Sequence, residues 1–162
     1  MSVIEGGGAH NSKRIALVVS KWNDFVTERL RDGALAALEA AGIMPDQVTT
    51  VRVPGAFEIP LAARHAAQSG GFDAIVCLGC VIRGETPHFE YIASAVAHGI
   101  TDAASATGVP MAFGVLTTNS AEEALARAQG AGSANKGYEA AATALEMADV
   151  VSQLSRQAVR HA

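Results

Sequence analysis

Short runs of apolar residues, many of them β-branched, alternate along the chain with longer segments in which apolar residues recur every three or four positions. The short runs predict strands buried within a sheet, and the longer segments predict helices with one apolar face. The predicted strands are residues 15–19, 48–53, 74–82 and 110–116. Each of them is followed by a predicted helix, and one more helix lies near the C-terminus.

Capping residues indicate where several of these helices begin and end. Gly42 is expected to end the first helix, because glycine is favoured just after the last helical residue. Thr86 and Pro87 fit the N-cap and the first helical position of the third helix. Ser120 and Glu123 form a capping box for the fourth. The predicted helices span residues 24–41, 56–69, 86–107, 120–127 and 138 toward the C-terminus.

Strands that alternate with helices in this way are joined by right-handed crossovers, which produce a parallel sheet with helices on both faces. We therefore predict an α/β fold: a single-domain, three-layer, flavodoxin-like arrangement of a four-stranded parallel sheet flanked by helices. Residues 1–12 contain three consecutive glycines, which predict a flexible N-terminal arm. Residues 13–162 are expected to form the one domain.

The chain of 162 residues is poor in charge: 17% of its residues are charged and 49% are hydrophobic. Soluble domains average about 25% charged residues. With so few charged residues, part of the surface lacks charged side chains. We expect another copy of the chain to cover that part, which makes the protein a homo-oligomer. The net charge of -4, without a basic cluster, argues against a nucleic-acid partner.

The sequence indicates neither secretion nor a membrane partner. No apolar run approaches the roughly 18 to 20 residues that span a bilayer, and residues 1–13 lack the basic and apolar regions of a secretion signal. We therefore expect a cytoplasmic protein. Cys77 and Cys80 lie within one predicted strand, and their spacing turns the two side chains to opposite faces of the sheet. They are predicted to be reduced core cysteines and not a redox or metal pair.

In open parallel sheets, ligands bind beyond the C-terminal ends of the strands, and unusual residues follow the predicted strands here. Trp22, the single tryptophan of the chain, fits packing as well as stacking on a ligand. Glu58 fits a helix start as well as a binding site. Residues 84–86 lead into a helix N-terminus that can hold a phosphate, although an ordinary capped helix is more common. His88, in the first turn of that helix, can serve as a general base and then a general acid.

Motifs of several common enzyme classes are absent from the sequence. No GxGxxG follows the first strand and no GxxxxGK[ST] occurs, which argues against dinucleotide and nucleotide-phosphate sites. The GxSxG of serine hydrolases is missing as well, and the five histidines show no metal-ligand spacing. Arg127 and Lys136 add two cations to the aromatic ring, the helix N-terminus and the histidine. This combination suits a phosphorylated small molecule bound beside a flat heterocycle.

Six separated motifs, taken in order, resemble the 6,7-dimethyl-8-ribityllumazine synthase family of riboflavin biosynthesis. They are Trp22-Asn23, PGAFEIP, GCVIRGETPHFEY, FGVLTT, Arg127 and NKGYEAA. The resemblance implies condensation of 5-amino-6-(D-ribitylamino)uracil with 3,4-dihydroxy-2-butanone 4-phosphate to give 6,7-dimethyl-8-ribityllumazine, phosphate and water, without a cofactor or metal. It also implies a homo-oligomer, either a pentamer or a shell of pentamers, with active sites between subunits.

The resemblance further implies roles for individual residues. Trp22 occupies the position of an aromatic ring, more often Phe, that stacks on the pyrimidine, and His88 occupies that of the proton-transfer residue. The residues expected to contact the ribitylaminouracil are Ala56, Phe57, Glu58, Cys80, Val81, Ile82 and, from the neighbouring subunit, Phe113. Those expected to contact the butanone phosphate are Gly84, Glu85, Thr86 and Arg127. Lys136 and Glu139 match an auxiliary charged pair near the phosphate.

Other functions remain open on the residues alone. A flavin- or lumazine-binding module of the same fold, or a structural shell protein, can use Trp22 and the turn after the second strand equally well. Neither of them needs the Arg127 phosphate site or His88. A flavodoxin-like electron carrier is less favoured, because the Ser/Thr-rich phosphate loop of such a protein is absent after the first strand.

Overall fold

A single parallel sheet is at the centre of the computed structural model, which describes residues 1–8 and 10–161. Its strands are β1 (Ile15–Ser20), β2 (Val48–Val53), β3 (Ala74–Ile82) and β4 (Met111–Thr118). Their order across the sheet is β2-β1-β3-β4, which confirms the predicted four-stranded parallel sheet. β4 ends two residues later than predicted because it pairs with β3 as far as Ile82 opposite Thr118. Residue 9 of the predicted arm and residue 162 at the predicted end of the domain lie outside the described residues.

Helices cover both faces of this sheet. One face carries α1 (Asp24–Ala40), α4 (Ala121–Ala128) and α5 (Lys136–Arg160), and the other carries α2 (Ile59–Gln68) and α3 (His88–Thr107). Because both faces are covered, every residue of β1 is buried. Leu17 and Val19 pack on the α1 side, whereas Ala16 and Val18 pack on the α2 side. The predicted three-layer α/β fold is confirmed.

Two of the local signals for helix ends, Gly42 and Ser120, are confirmed, and a proline fits the start of α2. Gly42 follows α1 with a φ of 86°, in the left-handed region that glycine tolerates. At the start of α4, the Glu123 N–H donates to the Ser120 Oγ over 3.1 Å. Pro60 lies in the first turn of α2, where its missing N–H removes no helical hydrogen bond. These ends are therefore set by local chemistry that the sequence displays directly.

Three helix starts differ from the prediction. α2 begins at Ile59 and not at residue 56, because residues Ala56–Glu58 form a separate 3-10 turn. Thr86 does not cap α3: the helix begins at His88, Pro87 occupies the N-cap position, and no side chain caps it. The Pro87 carbonyl accepts the first helical hydrogen bond, from the Glu90 N–H. Pro87 is therefore the N-cap, and Thr86 lies one residue before the N-cap position. α5 begins two residues earlier than predicted because Asn135 caps it.

The N-terminal segment lies against α5. The Gly7 and Gly8 N–H groups donate to the Asp149 Oδ2, over 3.0 and 2.8 Å respectively. The Gln153 side-chain amide donates to the carbonyl of Glu5 over 2.8 Å. Two points on α5, one helical turn apart, therefore hold this segment. The flexibility expected for residues 1–12 stays a prediction.

Candidate active site

The sheet opens between β1 and β3 at its C-terminal end. The last β1–β3 pair is Val19 with Leu78, whereas β3 continues along β4 to Ile82. The helices that follow β1 and β2 pack on opposite faces, so this gap is the switch point at which open α/β sheets bind ligands. A pocket of about 150 Å³, the Trp22 pocket, lies here. Its lining residues are Trp22, Asn23, Ala56, Phe57, Cys80, Val81, Ile82, His88 and Ile92.

Trp22 forms one wall of the Trp22 pocket. Its backbone N–H donates to the Pro54 carbonyl over 3.0 Å, which ties the loop after β1 to the loop after β2. The indole lies against Gly55, where an added Cβ would stand 2.4 Å from the Cε3 atom of the ring. The Trp22 side chain is nevertheless 64% exposed. Part of the ring therefore packs on backbone, and the rest is free to stack on a flat ligand.

The short 3-10 turn Ala56–Glu58 supplies the next wall. Ala56 is buried, while Phe57 is 57% exposed, and both line the Trp22 pocket. The Glu58 side chain lies outside the lining and closes the turn, because its Oε2 accepts a hydrogen bond from the Gly55 N–H over 3.0 Å. Glu58 therefore holds the segment on which the Trp22 indole packs. Its contact with a substrate stays a prediction.

His88 brings an ionisable group to the Trp22 pocket. It is the first residue of α3, and its exposed side chain lines the pocket. Residues 84–86, which precede it, are exposed and lie outside the pocket lining. An imidazole at this position can exchange protons with a ligand that lies on Trp22. The predicted phosphate contacts of residues 84–86 remain predictions.

Arg83 braces the loop that leads to His88. Its Nε donates to the Asn119 side chain over 3.0 Å, and its guanidinium lies 4.5 Å from the centre of the Phe89 ring. It also pairs with Glu90, and this hydrogen bond lowers the pKa of the Glu90 carboxyl below its ordinary value. Arg83 therefore links the end of β3 to the first turn of α3 and to the end of β4.

A second pocket, the Phe113 pocket, lies along β4 at the outer edge of the sheet and has a volume of about 280 Å³. Phe113 is 49% exposed there, as an aromatic ring on an edge strand. The charged residues of the lining are Arg127, Lys136 and Glu139. The Lys136 Nζ lies 2.7 Å from a Glu139 carboxylate oxygen. This is the charged pair that the sequence predicted, although its role is still a prediction.

Arg127 offers an available cation in the Phe113 pocket. It lies in the last turn of α4, and its Nη1 donates to the Glu123 carbonyl over 3.2 Å. Within the described part of the chain, no carboxylate forms an ion pair with it. A guanidinium has five N–H donors, and most of those on Arg127 remain free for an anion such as phosphate.

The predicted site residues thus divide between two pockets that share no lining residue among those described. Both volumes fall below the roughly 300 to 1,000 Å³ of small-molecule sites. The Trp22 pocket contains Trp22, Ala56, Phe57, Cys80, Val81, Ile82 and His88. The Phe113 pocket contains Phe113, Arg127, Lys136 and Glu139. Glu58, Gly84, Glu85 and Thr86 lie outside both linings.

Several residues that line these pockets had no role predicted from the sequence. Asn23 and Ile92 line the Trp22 pocket, and an Asn directly before a helix is a signal that would have drawn attention to Asn23. Ala140 and Thr143 line the Phe113 pocket. They follow Lys136 at intervals of four and three residues, so helical periodicity alone puts all three on one face of α5.

The two cysteines are confirmed as buried and unpaired, and they lie on opposite faces of β3. Burial raises the pKa of the Cys77 thiol to about 12 and that of Cys80 to about 11. Both thiols are therefore protonated at neutral pH, so Cys80 can contribute to the Trp22 pocket through its backbone but is a poor nucleophile.

The described ranges 1–8 and 10–161 contain no group of three or more His, Cys, Asp or Glu side chains with the geometry to hold a metal ion. Across the same residues, no helix combines the length and apolar character needed to cross a membrane. The charged or imidazole side chains that line the two pockets are His88, Arg127, Lys136 and Glu139.

Two comparisons with known proteins bear on this site. The sequence model of the 6,7-dimethyl-8-ribityllumazine synthase family matches residues 12–152. A protein of Syntrophus aciditrophicus (strain SB), named 6,7-dimethyl-8-ribityllumazine synthase, is 49% identical over 153 residues. That alignment covers 94% of this chain and 99% of the relative. Both matches include every residue of the Trp22 pocket and the Phe113 pocket.

Proposed function

The chain belongs to the 6,7-dimethyl-8-ribityllumazine synthase family, and we propose that its active site joins the Trp22 pocket of one copy to the Phe113 pocket of the next. The enzyme condenses 5-amino-6-(D-ribitylamino)uracil with 3,4-dihydroxy-2-butanone 4-phosphate and releases phosphate and water. Its product, 6,7-dimethyl-8-ribityllumazine, is an intermediate of riboflavin biosynthesis. The observation that carries the proposal is the division of the candidate residues between two small pockets.

The uracil ring is proposed to stack on the exposed part of Trp22. The backbone of residues 80–82, at the end of β3, borders the ring, and the turn 56–58 lines the ribityl chain. Phe113 of the neighbouring copy closes the site from the other side. The exposed aromatic surface of Trp22, Phe57 and Phe113 supports this arrangement, because a flat heterocycle gains most from burial between aromatic rings.

The phosphate of the second substrate is proposed to bind Arg127 of the neighbouring copy and residues 84–86. The absence of an ion-paired carboxylate on Arg127, among the described residues, supports this role. The Lys136–Glu139 pair lies in the same pocket, where the Glu139 carboxylate already pairs with the Lys136 ammonium. A guanidinium can bind two phosphate oxygens at once, which fixes the orientation of the substrate as well as its affinity.

The chemistry consists mostly of proton transfers. The 5-amino group of the uracil attacks the butanone carbonyl and forms an imine with loss of water. Removal of a proton beside the imine eliminates phosphate, and the resulting enol tautomerises to a ketone. The ribitylamino nitrogen then attacks this ketone, and loss of a second water closes the ring. His88 is proposed to take and return protons in these steps, because it borders the Trp22 pocket. General acid-base help contributes about 10²- to 10⁴-fold. Holding both substrates in reactive geometry can contribute more than that, so orientation is expected to be the larger effect.

The chain forms a homo-oligomer, as its family implies, and we propose a pentamer or a shell of pentamers in the cytoplasm. Two different surfaces of each copy meet in such a head-to-tail contact, and a rotation that closes gives a ring. The two free, buried cysteines support a reducing compartment. Residues 13–162 are proposed to form one domain, which follows the N-terminal arm of residues 1–12. Size-exclusion chromatography with light scattering distinguishes the mass of a five-chain ring from that of a shell of pentamers.

The function is tested by mixing the two substrates with the purified protein and following lumazine absorbance. His88→Ala is expected to lower kcat by about 10²-fold with little change in either KM, because proton transfer slows while binding is retained. Arg127→Ala is expected to raise the KM for the butanone phosphate by about tenfold or more, because a charge-assisted hydrogen bond is lost.

Arg156→Ala is the matched control for Arg127→Ala, since it removes an exposed arginine of α5 whose side chain, among the residues described, hydrogen-bonds only to the Ser152 Oγ. It should leave both KM values unchanged. An unchanged KM for the butanone phosphate in Arg127→Ala contradicts the phosphate site. Absence of lumazine from folded, unaltered protein contradicts the proposed function as a whole.

A further inference from the structure

Asn23 bridges the two strands at the point where they separate. The β1–β3 pairing ends at Val19 opposite Leu78, yet the side-chain amide of Asn23 donates to the Cys80 carbonyl over 2.9 Å. Cys80 lies two residues beyond Leu78 on β3. The Asn23 amide therefore supplies one more cross-strand hydrogen bond after the backbone pairing has stopped.

The backbone of Asn23 adopts an unusual conformation. Its φ is 62° and its ψ is 43°, and it is the single non-glycine residue with positive φ among the described residues. Asparagine tolerates this left-handed region better than most residues, but glycine tolerates it best. Conformation alone would therefore favour glycine at position 23.

The side chain of Asn23 also departs from the usual role of its position. Asn23 is the N-cap of α1, and its carbonyl accepts from the N–H groups of Val26 and Thr27 over 2.9 and 3.0 Å. An N-cap asparagine normally turns its side chain back onto the helix, but here no side chain caps α1. The amide instead reaches across the gap to Cys80. This hydrogen bond, and not the cap, is what the asparagine side chain provides.

We propose that Asn23 is a positioning residue of the reaction, which fixes the spacing between the Trp22 ring and the backbone of residues 80–82. The proposal rests on the proposed function, in which the ring and that backbone hold the uracil from two sides. Asn23 is bonded directly to Trp22 and hydrogen-bonded to Cys80, so it joins both walls of the Trp22 pocket. Its loss is expected to affect the ribitylaminouracil and not the butanone phosphate.

Two variants distinguish the contribution of the Asn23 side-chain amide from that of the left-handed backbone conformation. Asn23→Gly keeps the left-handed backbone and removes the amide. Asn23→Asp keeps the size of the side chain and replaces the N–H donor by an oxygen that faces the Cys80 carbonyl. Asn11→Gly is the matched control, because it makes the same exchange in an exposed turn outside the Trp22 pocket.

Both Asn23 variants are expected to raise the KM for the ribitylaminouracil by about tenfold, the upper range for one hydrogen bond. The KM for the butanone phosphate, kcat and the oligomer mass should change less than twofold in these variants, and every value should stay constant in Asn11→Gly. The single tryptophan gives a second measurement, because lumazine that stacks on Trp22 quenches its fluorescence. The dissociation constant from this titration should rise by the same factor as the KM.

An unchanged KM for the ribitylaminouracil in Asn23→Gly, or equal rises in both KM values, overturns the positioning role. Failure of the proposed function has a different result, namely no lumazine from the unaltered chain. The fluorescence titration still decides on Asn23 in that case, because equal lumazine affinities in the unaltered and Asn23→Gly chains overturn the proposal without reference to turnover.

Discussion

At the residue scale, the neighbouring Trp22 side chain, and not the backbone conformation, requires a glycine at position 55. Its φ of -131° and ψ of 179° belong to an extended conformation that any residue adopts. The constraint is the Trp22 indole, which occupies the volume that a Cβ would take. A turn glycine normally suggests a special φ, and the sequence alone does not show which side chain fills the space above it.

Gly55→Ala is therefore expected to displace the Trp22 ring while the fold is retained. An aromatic contact of this kind contributes roughly 1 kcal/mol, so the KM for the ribitylaminouracil should rise by about fivefold. Steady-state kinetics and the Trp22 emission spectrum measure the two effects. Gly71→Ala is the control, because its Cβ would meet only the Ser69 Oγ at 3.5 Å. Unchanged kinetics and emission in Gly55→Ala would show that the indole has room elsewhere.

Asn135 organises the start of α5 at the element scale. Its Oδ1 accepts from the Gly137 and Tyr138 N–H groups, over 2.8 and 3.3 Å. Its Nδ2 donates to the carbonyls of Arg29 and Ala128, over 3.1 and 2.8 Å. One buried side chain therefore joins α1, α4 and α5, and it sets the first turn in which Lys136 and Glu139 reach the Phe113 pocket.

Asn135→Ala is expected to lower the free energy of unfolding by about 2 to 4 kcal/mol, because it removes a cap and leaves two carbonyls without their donor. Ser120→Ala removes a cap that bonds to one N–H group, and it should cost only about 1 kcal/mol. Urea denaturation at one fixed protein concentration compares the two, since oligomer stability depends on concentration. Equal losses in both variants would refute the additional role of Asn135.

The contact between the N-terminal segment and α5 predicts a pH dependence. The Gly8 N–H, followed by that of Gly7, lowers the pKa of the Asp149 carboxyl below its ordinary value of 3.8. A lowered pKa in the folded state means that the contact contributes fully above pH 3.8 and is lost as the pH falls through the lower, folded value. The segment should therefore stay attached throughout neutral and mildly acidic conditions.

Amide exchange measures this directly. The protection of Gly7 and Gly8 should be constant from pH 7 to about pH 5 and should be lost in strong acid. Asp149→Ala should remove it already at pH 7, because both N–H groups lose their acceptor. Asp102→Ala, at an exposed position of α3, is the control. Protection that persists at pH 7 in Asp149→Ala would contradict the assignment of Asp149 as the anchor.

The elements were predictable where the signal is local. The buried apolar run of β3 and the Ser120 cap are both visible in a few consecutive residues, and both were confirmed. The Asn135 cap at the start of α5 is also a local signal, because it accepts from the Gly137 and Tyr138 N–H groups, and it was overlooked. The contacts of Asn135 with the carbonyls of Arg29 and Ala128 are the part that the sequence does not display. Thr86 was misassigned because the geometry of Pro87 decides where the turn begins. Contacts between distant segments leave little trace in the sequence.

At the scale of the whole molecule, the low content of charged residues is accompanied by exposed apolar side chains. These include Phe57, Leu61 and Tyr91 on one side of the fold, and Phe113 and Met147 around the edge strand β4. A contact between these two different surfaces would bury apolar area and would bring the Trp22 pocket to the Phe113 pocket. Composition suggested a partner and the family resemblance implied sites between subunits, but which candidate residues line the same pocket became clear only in the structure.

A mixed oligomer tests this division. His88→Ala damages the Trp22 pocket and Arg127→Ala damages the Phe113 pocket, so each uniform oligomer is impaired at every site. When the two variants are unfolded, mixed in equal amounts and reassembled, a site between copies can combine an intact Trp22 pocket with an intact Phe113 pocket. Random assembly around a ring should restore about a quarter of the sites. Lumazine formation at a low butanone phosphate concentration measures the recovery.

The control is each variant reassembled alone, which should regain only its own residual activity. If each site lay within a single chain, the mixture would give the average of the two controls, because every copy would still carry one damaged half. Recovery well above that average therefore requires that one chain complete the site of another. It would also explain why the residues proposed to bind the two substrates divide between the Trp22 pocket and the Phe113 pocket.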